Sequence, residues 1–187
     1  MPVWLTEHEY AVLRAACAQM LPSDQGAPGA EEAGVADYID ILLGAFTFDP
    51  PRIWAGGPTS GRAGGAPEFA HFHRLSALDE LAWRMRIEGS QGLPGREFNG
   101  PVIGLQETYR RGLAALGDDF CAADGAEQRR RLRADENFRA TLYGHCCEGM
   151  YAAPEYGGNR DGVGWSYLGR DGDVQPRGYT DEEVSGP

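Results

Sequence analysis

The sequence predicts a mostly α-helical fold of about six helices, with long Gly/Pro-rich loops and an irregular aromatic carboxy-terminal tail. Apolar residues recur every three to four positions in successive stretches, which is the spacing of one helical face. Strand-like alternation is scarce, and most of the 27 glycines lie in three stretches between the apolar runs. At 187 residues, the chain has the length of one domain of ordinary size.

Capping residues and apolar spacing mark the first three helices. Thr6-Glu-His-Glu9 is a capping box, and the helix behind it ends at Pro22. A second helix is expected from Val35 to Phe46. After a Gly/Pro-rich loop, Ser76-x-x-Asp79 caps a third helix that closes near Gly89. The apolar residues of this third helix are Leu78, Leu81, Ala82 and Met85.

The second half of the chain predicts three more helices. The fourth starts at Pro101, because a proline in the first helical turn removes no hydrogen bond, and runs to about Leu116. Asp124-x-x-Glu127 caps a short, Arg-rich fifth helix. The sixth is expected from Asn137 to Ala152. Its apolar face carries Phe138, Leu142, Cys146 and Met150, four residues apart.

Charge and composition exclude several classes of protein. The net charge of -11 argues against a nucleic-acid or anionic-membrane binder, because both reward excess positive charge. All 17 basic residues are arginines, which rules out lysine-based chemistry such as a Schiff base. The amino-terminal residues do not resemble a signal peptide, and no stretch approaches membrane-spanning length. We therefore expect a cytoplasmic protein without membrane insertion.

Motifs that carry chemistry are mostly missing from the sequence. The run Gly56-Gly-Pro-Thr-Ser-Gly61 lacks the Lys-Ser/Thr of a P-loop, and no G-x-G-x-x-G opens a helix after a strand. The sequence thus predicts no catalytic residue, metal ligand or bound cofactor. The four cysteines are interpreted as buried small hydrophobic residues, with a disulfide as the alternative. His145 is interpreted as a structural histidine that donates to the backbone, rather than as half of a Cys–His dyad.

The segment from Pro154 to Pro187 combines large aromatics with many glycines. Disordered segments lack such aromatics, and compact domains rarely keep so long a structureless segment unless it is functional or rests on something else. We expect a helical domain over residues 1–153 and an extended tail, residues 154–187, that packs on another polypeptide. The alternative is that Trp165 and Tyr167 fold back over the chain's own helices.

Four motifs resemble a known family. The run Met150-Tyr-Ala-Ala-Pro-Glu-Tyr-Gly-Gly-Asn-Arg-Asp161, followed by Gly164-Trp165, resembles the signature of the gluconate 2-dehydrogenase subunit 3 family. The other three matches are Phe48-Asp-Pro-Pro-Arg-Ile-Trp54, Ile87-Glu-Gly-Ser-Gln-Gly92 and Arg96-Glu-Phe-Asn99. The resemblance spans roughly residues 46–179.

The resemblance implies a small, non-catalytic subunit bound to a large flavoprotein of the glucose-methanol-choline oxidoreductase type. FAD is then expected in that partner, which oxidises an alcohol or a sugar, and in some complexes a cytochrome c subunit accepts the electrons. The small subunit supports folding, stability or export of its partner. Many such subunits begin with a twin-arginine signal, which this chain lacks. The resemblance is thus compatible with a cytoplasmic complex, with export by a partner that carries the signal, or with a signal that has been removed.

Several residues are expected either to contact the partner directly or to shape the loops that contact it. These residues are Trp54, Tyr151, Tyr156, Asn159, Arg160 and Trp165. One alternative is a self-contained metal-dependent enzyme using His71, His73 and an acid. Another is a homo-oligomeric binding module whose tail swaps onto an identical copy.

Overall fold

A computed structural model describes residues 1–55 and 72–169, and these residues are mostly α-helical. The prediction of a mostly α fold is confirmed. No β-strand occurs in the described ranges, only two isolated bridges. The described α-helices are α1 Glu7–Met20, α2 Val35–Leu43, α3 Ala77–Ile87, α4 Leu105–Leu116, α5 Gly125–Ala134, α6 Glu136–Tyr151 and α7 Val163–Tyr167.

The amino-terminal segment is held by side chains at both of its ends. The predicted capping box is present: the Thr6 hydroxyl accepts from the Glu9 N–H, and the Glu9 carboxylate accepts from the Thr6 N–H. Before the cap, the backbone N–H groups of residues 3, 4 and 5 donate to the buried carboxylate of Asp40 on α2. Since three donors share one buried acceptor, Asp40 fixes the entry of the chain into α1.

The main core lies between α1, α2, α4, α5 and α6. Helix α6 packs against each of the other four, so it is the central element. At its crossing with α4, the Phe138 ring lies so close to Gly112 that a Cβ on that glycine would stand 2.2 Å from it. The largest fully buried side chains in this core include Leu13, Ile39, Tyr109, Phe120, Leu132 and Leu142.

Helix α3 lies outside this main core. Its one buried residue is Ile87, which joins Ala45 and Ile53 in a small second cluster. The apolar residues noted in the sequence for this helix do not face a core: Leu78 is 76% exposed and Leu81 is 40% exposed. An amphipathic helix normally turns such a stripe inward, so α3 presents an apolar face that the described ranges leave largely exposed.

Two helix boundaries differ from the prediction. Helix α4 begins at Leu105 and not at Pro101, because the Ser90 N–H donates to the Val102 carbonyl (3.0 Å) and residue 103 forms a bridge with Gly89. Helix α2 ends at Leu43, and a separate 3-10 turn, Ala45–Thr47, follows. At the end of α2 the Leu43 carbonyl accepts from the Gln106 side-chain amide (2.8 Å), so in both places a contact with another part of the chain accompanies the end of the helical pattern.

Residues 154–169 differ from the irregular segment expected there. They form two 3-10 turns, Pro154–Tyr156 and Arg160–Gly162, and then α7. These short elements pack on α2 and α6. The remaining residues of the expected tail, 170–187, lie outside the described ranges. None of the helices described here has the length and apolar content that a membrane span requires.

Candidate partner interface

An aromatic surface forms where the end of α6, the turn at residues 51–55, the turn after α6 and one side of α3 meet. We define it by Tyr38, Trp54, Trp83, Tyr151 and Tyr156. It surrounds a cavity of about 360 Å³ whose walls are mostly apolar. Trp54 borders an adjoining cleft that shares Ile53 and Trp83 with this cavity. The cavity is lined by Tyr38, Ile41, Leu42, Arg52, Ile53, Trp83, Cys147, Glu148, Tyr151, Ala152 and Tyr156.

Tyr156 connects the two turns of this surface. Its hydroxyl accepts a hydrogen bond from the Ala55 N–H (3.0 Å), directly after Trp54. The Phe72 ring stands edge-on to it, with centroids 5.6 Å apart. The His73 N–H donates to the Trp54 carbonyl (2.8 Å). These contacts bring Trp54, which is 48% exposed, next to the cavity although about 100 residues separate it from Tyr156.

Helix α6 presents one stripe that reaches the aromatic surface. Tyr143, Cys147 and Tyr151 are four residues apart and therefore lie on one face of the helix, and Cys147 and Tyr151 line the cavity. Tyr143 is 52% exposed and Tyr151 is 39% exposed. Beside this stripe, the Tyr38 hydroxyl donates to the Glu148 carboxylate (2.8 Å). Burial, together with this bond, raises the pKa of Tyr38. Tyr38 thus stays protonated and is held as a fixed wall of the cavity.

Asn159 lies beneath the surface and not on it. It is fully buried; its side-chain amide donates to the Ala152 carbonyl (3.0 Å), and its side-chain oxygen accepts from the Gly164 N–H (2.8 Å). Its own N–H donates to the Gly149 carbonyl (2.7 Å). Asn159 therefore joins α6 to α7 and can act on a partner only by shaping the loop.

The glycines around Asn159 allow this close approach. A Cβ on Gly158 would stand 2.1 Å from the Gly149 carbonyl oxygen, and a Cβ on Gly164 would stand 2.0 Å from that of Met150. Only glycine fits at both positions without moving the backbone. The Trp165 indole then donates to the Tyr151 carbonyl (2.8 Å). The Gly-Gly-Asn run thus folds the chain back onto α6 and places Trp165 beside Tyr151.

Arg160 faces a different part of the molecule. Its guanidinium forms an ion pair with Asp37 on α2, and its N–H donates to the Ala33 carbonyl (3.1 Å). It lines a polar cavity of about 280 Å³ together with Tyr10 and Arg14. Of the predicted contact residues, the structure thus brings Trp54, Tyr151 and Tyr156 together, with Trp165 adjacent. Whether these residues contact a partner stays a prediction.

Sequence reasoning missed Trp83 and Tyr38. Both lie on helices that the sequence predicts from apolar spacing. Trp83 instead lines both the aromatic cavity and the Trp54 cleft, and its ring lies 5.0 Å from the Arg86 guanidinium in a cation–π contact. A tryptophan off the Leu78–Met85 stripe was the available signal. On a helix with one apolar stripe, a large aromatic on another face indicates a second contact surface.

His145 lies in the main core, as expected of a structural histidine. Its Nδ1 is 2.8 Å from the Tyr109 hydroxyl, so its partner is a side chain and not the predicted backbone. Burial lowers the pKa of His145 and raises that of Tyr109, so both are neutral near pH 7. Of the histidines considered as metal ligands, His71 lies outside the described residues. The described ranges hold no cluster of three or more potential metal ligands.

The four cysteines are not equivalent. Cys17 and Cys146 are buried and free, as predicted, and their mutual contact, together with burial, raises the pKa of Cys17. Cys147 is half-buried and lines the aromatic cavity. The interpretation is wrong for Cys121, which is exposed, because its 3-10 turn directs the neighbouring Phe120 into the core instead.

The comparison with known families matches residues 7–172 to the family described as gluconate 2-dehydrogenase subunit 3. No curated protein and no solved structure matches the chain. The match includes every described helix and the whole aromatic surface. The family is that of a subunit of a dehydrogenase complex, which implies a partner dehydrogenase subunit. The chain belongs to the gluconate 2-dehydrogenase subunit 3 family.

Proposed function

We propose that this chain is a non-catalytic accessory subunit that binds and stabilises the FAD-dependent catalytic subunit of an alcohol or sugar dehydrogenase. The catalytic subunit is of the glucose-methanol-choline type, and it holds both FAD and the substrate. In those complexes that include a cytochrome c subunit, that subunit is the proposed electron acceptor. The observation that carries the proposal is the aromatic surface around the 360 Å³ cavity.

The composition of this surface is that of a contact anchor. Trp54 and Tyr151 are 48% and 39% exposed, and the cavity between the two turns is open to a partner's side chains. Tryptophan and tyrosine are the residues that most often dominate binding energy, particularly beside well-formed pockets. Covering a half-exposed ring contributes on the order of 1–2 kcal/mol from its apolar area.

The surface is also ordered before any partner binds. The Ala55–Tyr156 and Tyr38–Glu148 hydrogen bonds hold the rings of Tyr156 and Tyr38 in place, and the Trp165–Tyr151 bond fixes the backbone of Tyr151. A preformed site loses less conformational entropy on association than a flexible one. The same rings, when uncovered, make the free chain prone to aggregation, so the isolated subunit is expected to be poorly stable.

Co-expression with a catalytic subunit of the glucose-methanol-choline type tests this proposal. We expect the two chains to co-purify with a flavin absorption spectrum, and the melting temperature of the chain to rise in the complex. The double variant Trp54→Ser/Tyr151→Ser should lose most of the co-purified flavoprotein. The control Ala114→Ser/Arg133→Ser changes two exposed residues of α4 and α5 and should retain it.

Two outcomes would contradict the proposal. One is a sharp, reversible melt of the isolated chain that the flavoprotein leaves unchanged. The other is a stable homo-oligomer that forms without any catalytic subunit, which would favour the homo-oligomeric binding module.

A further inference from the structure

The outer face of α3 is apolar although no described residue covers it. Leu78, Leu81, Ala82 and Met85 follow one another at helical spacing, and none of them is buried. Leu78 alone is 76% exposed. The same helix does bury Ile87, so its register is fixed and the stripe cannot rotate inward. This is the pattern of a helix that contacts another surface.

A rigid loop after α3 presents a phenylalanine beside this stripe. Phe98 is 93% exposed. The loop beneath it is held by Arg96, whose guanidinium donates to the Glu88 carboxylate (2.9 Å) and to the Gly89 carbonyl (3.3 Å). The side chains of Arg96 and Glu88 are only 14% and 16% exposed.

Further hydrogen bonds close the same loop. The Ser90 hydroxyl donates to Glu97 (2.8 Å) and accepts from the Val102 N–H (3.1 Å). The backbones cross so closely that a Cβ on Gly104 would stand 2.3 Å from the Gly89 nitrogen. Phe98 is thus exposed to solvent on a loop that these hydrogen bonds hold in place, which is the arrangement of a preorganised binding anchor.

Between the stripe and the loop lies a groove of about 210 Å³, lined by residues that include Leu81, Met85, Phe98 and Val102. Pockets for drug-sized ligands and cofactors measure about 300–1,000 Å³. The α3 groove is smaller, and two further exposed apolar residues, Leu78 and Ile103 (58% exposed), neighbour its lining residues Leu81 and Val102 along the chain. Its size and shape suit apolar side chains of another protein.

Net charge limits which kind of molecule can cover the α3 groove. Residues 72–105 contain four arginines and four carboxylates, so this face is neutral, whereas the whole chain carries -11. Two copies of the chain, each with a net charge of -11, would repel one another, and an anionic membrane would repel the chain as well. The family match instead implies a protein partner, a dehydrogenase subunit.

We propose that the α3 groove and Phe98 form a second contact surface for the catalytic dehydrogenase subunit, separate from the aromatic surface. The inference rests on the proposed function. Phe98 enters an apolar pocket of that subunit, and apolar side chains of the subunit cover Leu78, Leu81 and Met85.

Competition for the catalytic subunit tests this surface. The catalytic subunit is co-expressed in limiting amount with a tagged wild-type chain and a differently tagged variant, and the ratio of the two chains in the purified complex is measured. For Phe98→Asp we expect that ratio to fall at least tenfold below the ratio for Ala115→Asp. Ala115 is exposed at the far end of α4, so both variants add one surface carboxylate. Because Phe98 is 93% exposed, both variants should keep the wild-type helical circular dichroism spectrum.

A photo-crosslinker at the same position identifies the occupant. With Phe98→benzoylphenylalanine in the co-expressed complex, irradiation should link this chain to the catalytic subunit. Equal incorporation of Phe98→Asp and Ala115→Asp would overturn the inference while the proposed function stands. A crosslink between two copies, to lipid, or to nothing would overturn it too. If the wild-type chain and Ala115→Asp also fail to bind, the proposed function fails with it.

Discussion

Asn159 is the residue on which the carboxy-terminal segment depends most. Its side chain satisfies a partly buried acceptor on Ala152 and a buried donor on Gly164, and its φ of 43° is one that asparagine tolerates better than most residues. Asn159→Ala leaves both groups unpaired. We expect the free energy of unfolding to fall by about 2–4 kcal/mol, measured by urea denaturation in dilute solution.

The matched control for this change is Asn137→Ala, since Asn137 is exposed in the first turn of α6. Its effect should stay within about 0.5 kcal/mol. If both variants unfold at the same urea concentration, Asn159 does not hold the segment as described.

His145 makes stability depend on pH. Burial lowers its pKa in the folded chain below the ordinary 6.5, while Glu148 opposes and Arg86 reinforces that shift. In the unfolded chain His145 therefore binds a proton near pH 6.5, whereas in the folded chain it does so only at lower pH. The contribution of neutral His145 is fully present above pH 6.5 and is lost as the pH falls below it, by up to about 1.4 kcal/mol per pH unit.

The comparison variant is His145→Asn, whose amide can still bond the Tyr109 hydroxyl but cannot take up a proton. Chemical denaturation between pH 5 and pH 8 should show that the wild type loses more stability than the variant on acidification. A difference between the two proteins that stays constant over that range would contradict the assignment.

At the scale of elements, two glycines on packed helices should respond in opposite ways to the same substitution. Gly112 on α4 lies under the Phe138 ring, and a Cβ added to Gly112 would stand 2.2 Å from that ring, whereas Gly144 on α6 has open space around it. Gly112→Ala should destabilise the chain by about 1–3 kcal/mol through overpacking. Gly144→Ala should stabilise it by about 0.5–1 kcal/mol through helix propensity. Thermal unfolding of both variants checks this, and two changes of the same sign would count against the α4–α6 packing.

The helices could be predicted from the sequence where local signals and packing agree. The Thr6 and Asp124 caps start α1 and α5 as predicted, because a cap is satisfied within its own turn. The start of α4 could not be predicted, since the Ser90–Val102 bond that unwinds residues 101–104 joins positions 12 residues apart. The orientation of α3 could not be predicted either. Periodicity identifies a stripe but not which surface the stripe meets.

The candidate site was predictable only in part for the same reason. Aromatic composition indicated Trp54, Tyr151 and Tyr156, and the fold brings these three together. The buried position of Asn159 depends on close approaches at Gly158 and Gly164 that composition does not reveal. Trp83 and Phe98 required the position of α3, which follows from long-range contacts.

At the scale of the whole molecule, one helical body carries the two proposed contact surfaces on either side of α3. The main core is complete without this helix, which is attached through a small cluster around Ile87. Trp83 faces the aromatic cavity, and Leu81 and Met85 face the α3 groove. A partner that binds both surfaces would enclose α3 and add to its stability, because anything that binds only the folded chain stabilises it.

Coverage of the aromatic surface by the catalytic subunit can be measured directly. Hydroxyl-radical footprinting of the complex and of the freshly separated, dilute chain tests it, with oxidation of each side chain measured by mass spectrometry. We expect oxidation of Trp54, Trp83 and Tyr151 to slow at least fivefold in the complex, while Cys121, exposed between α4 and α5, stays unchanged. Equal oxidation rates for these three rings in both samples would contradict the account.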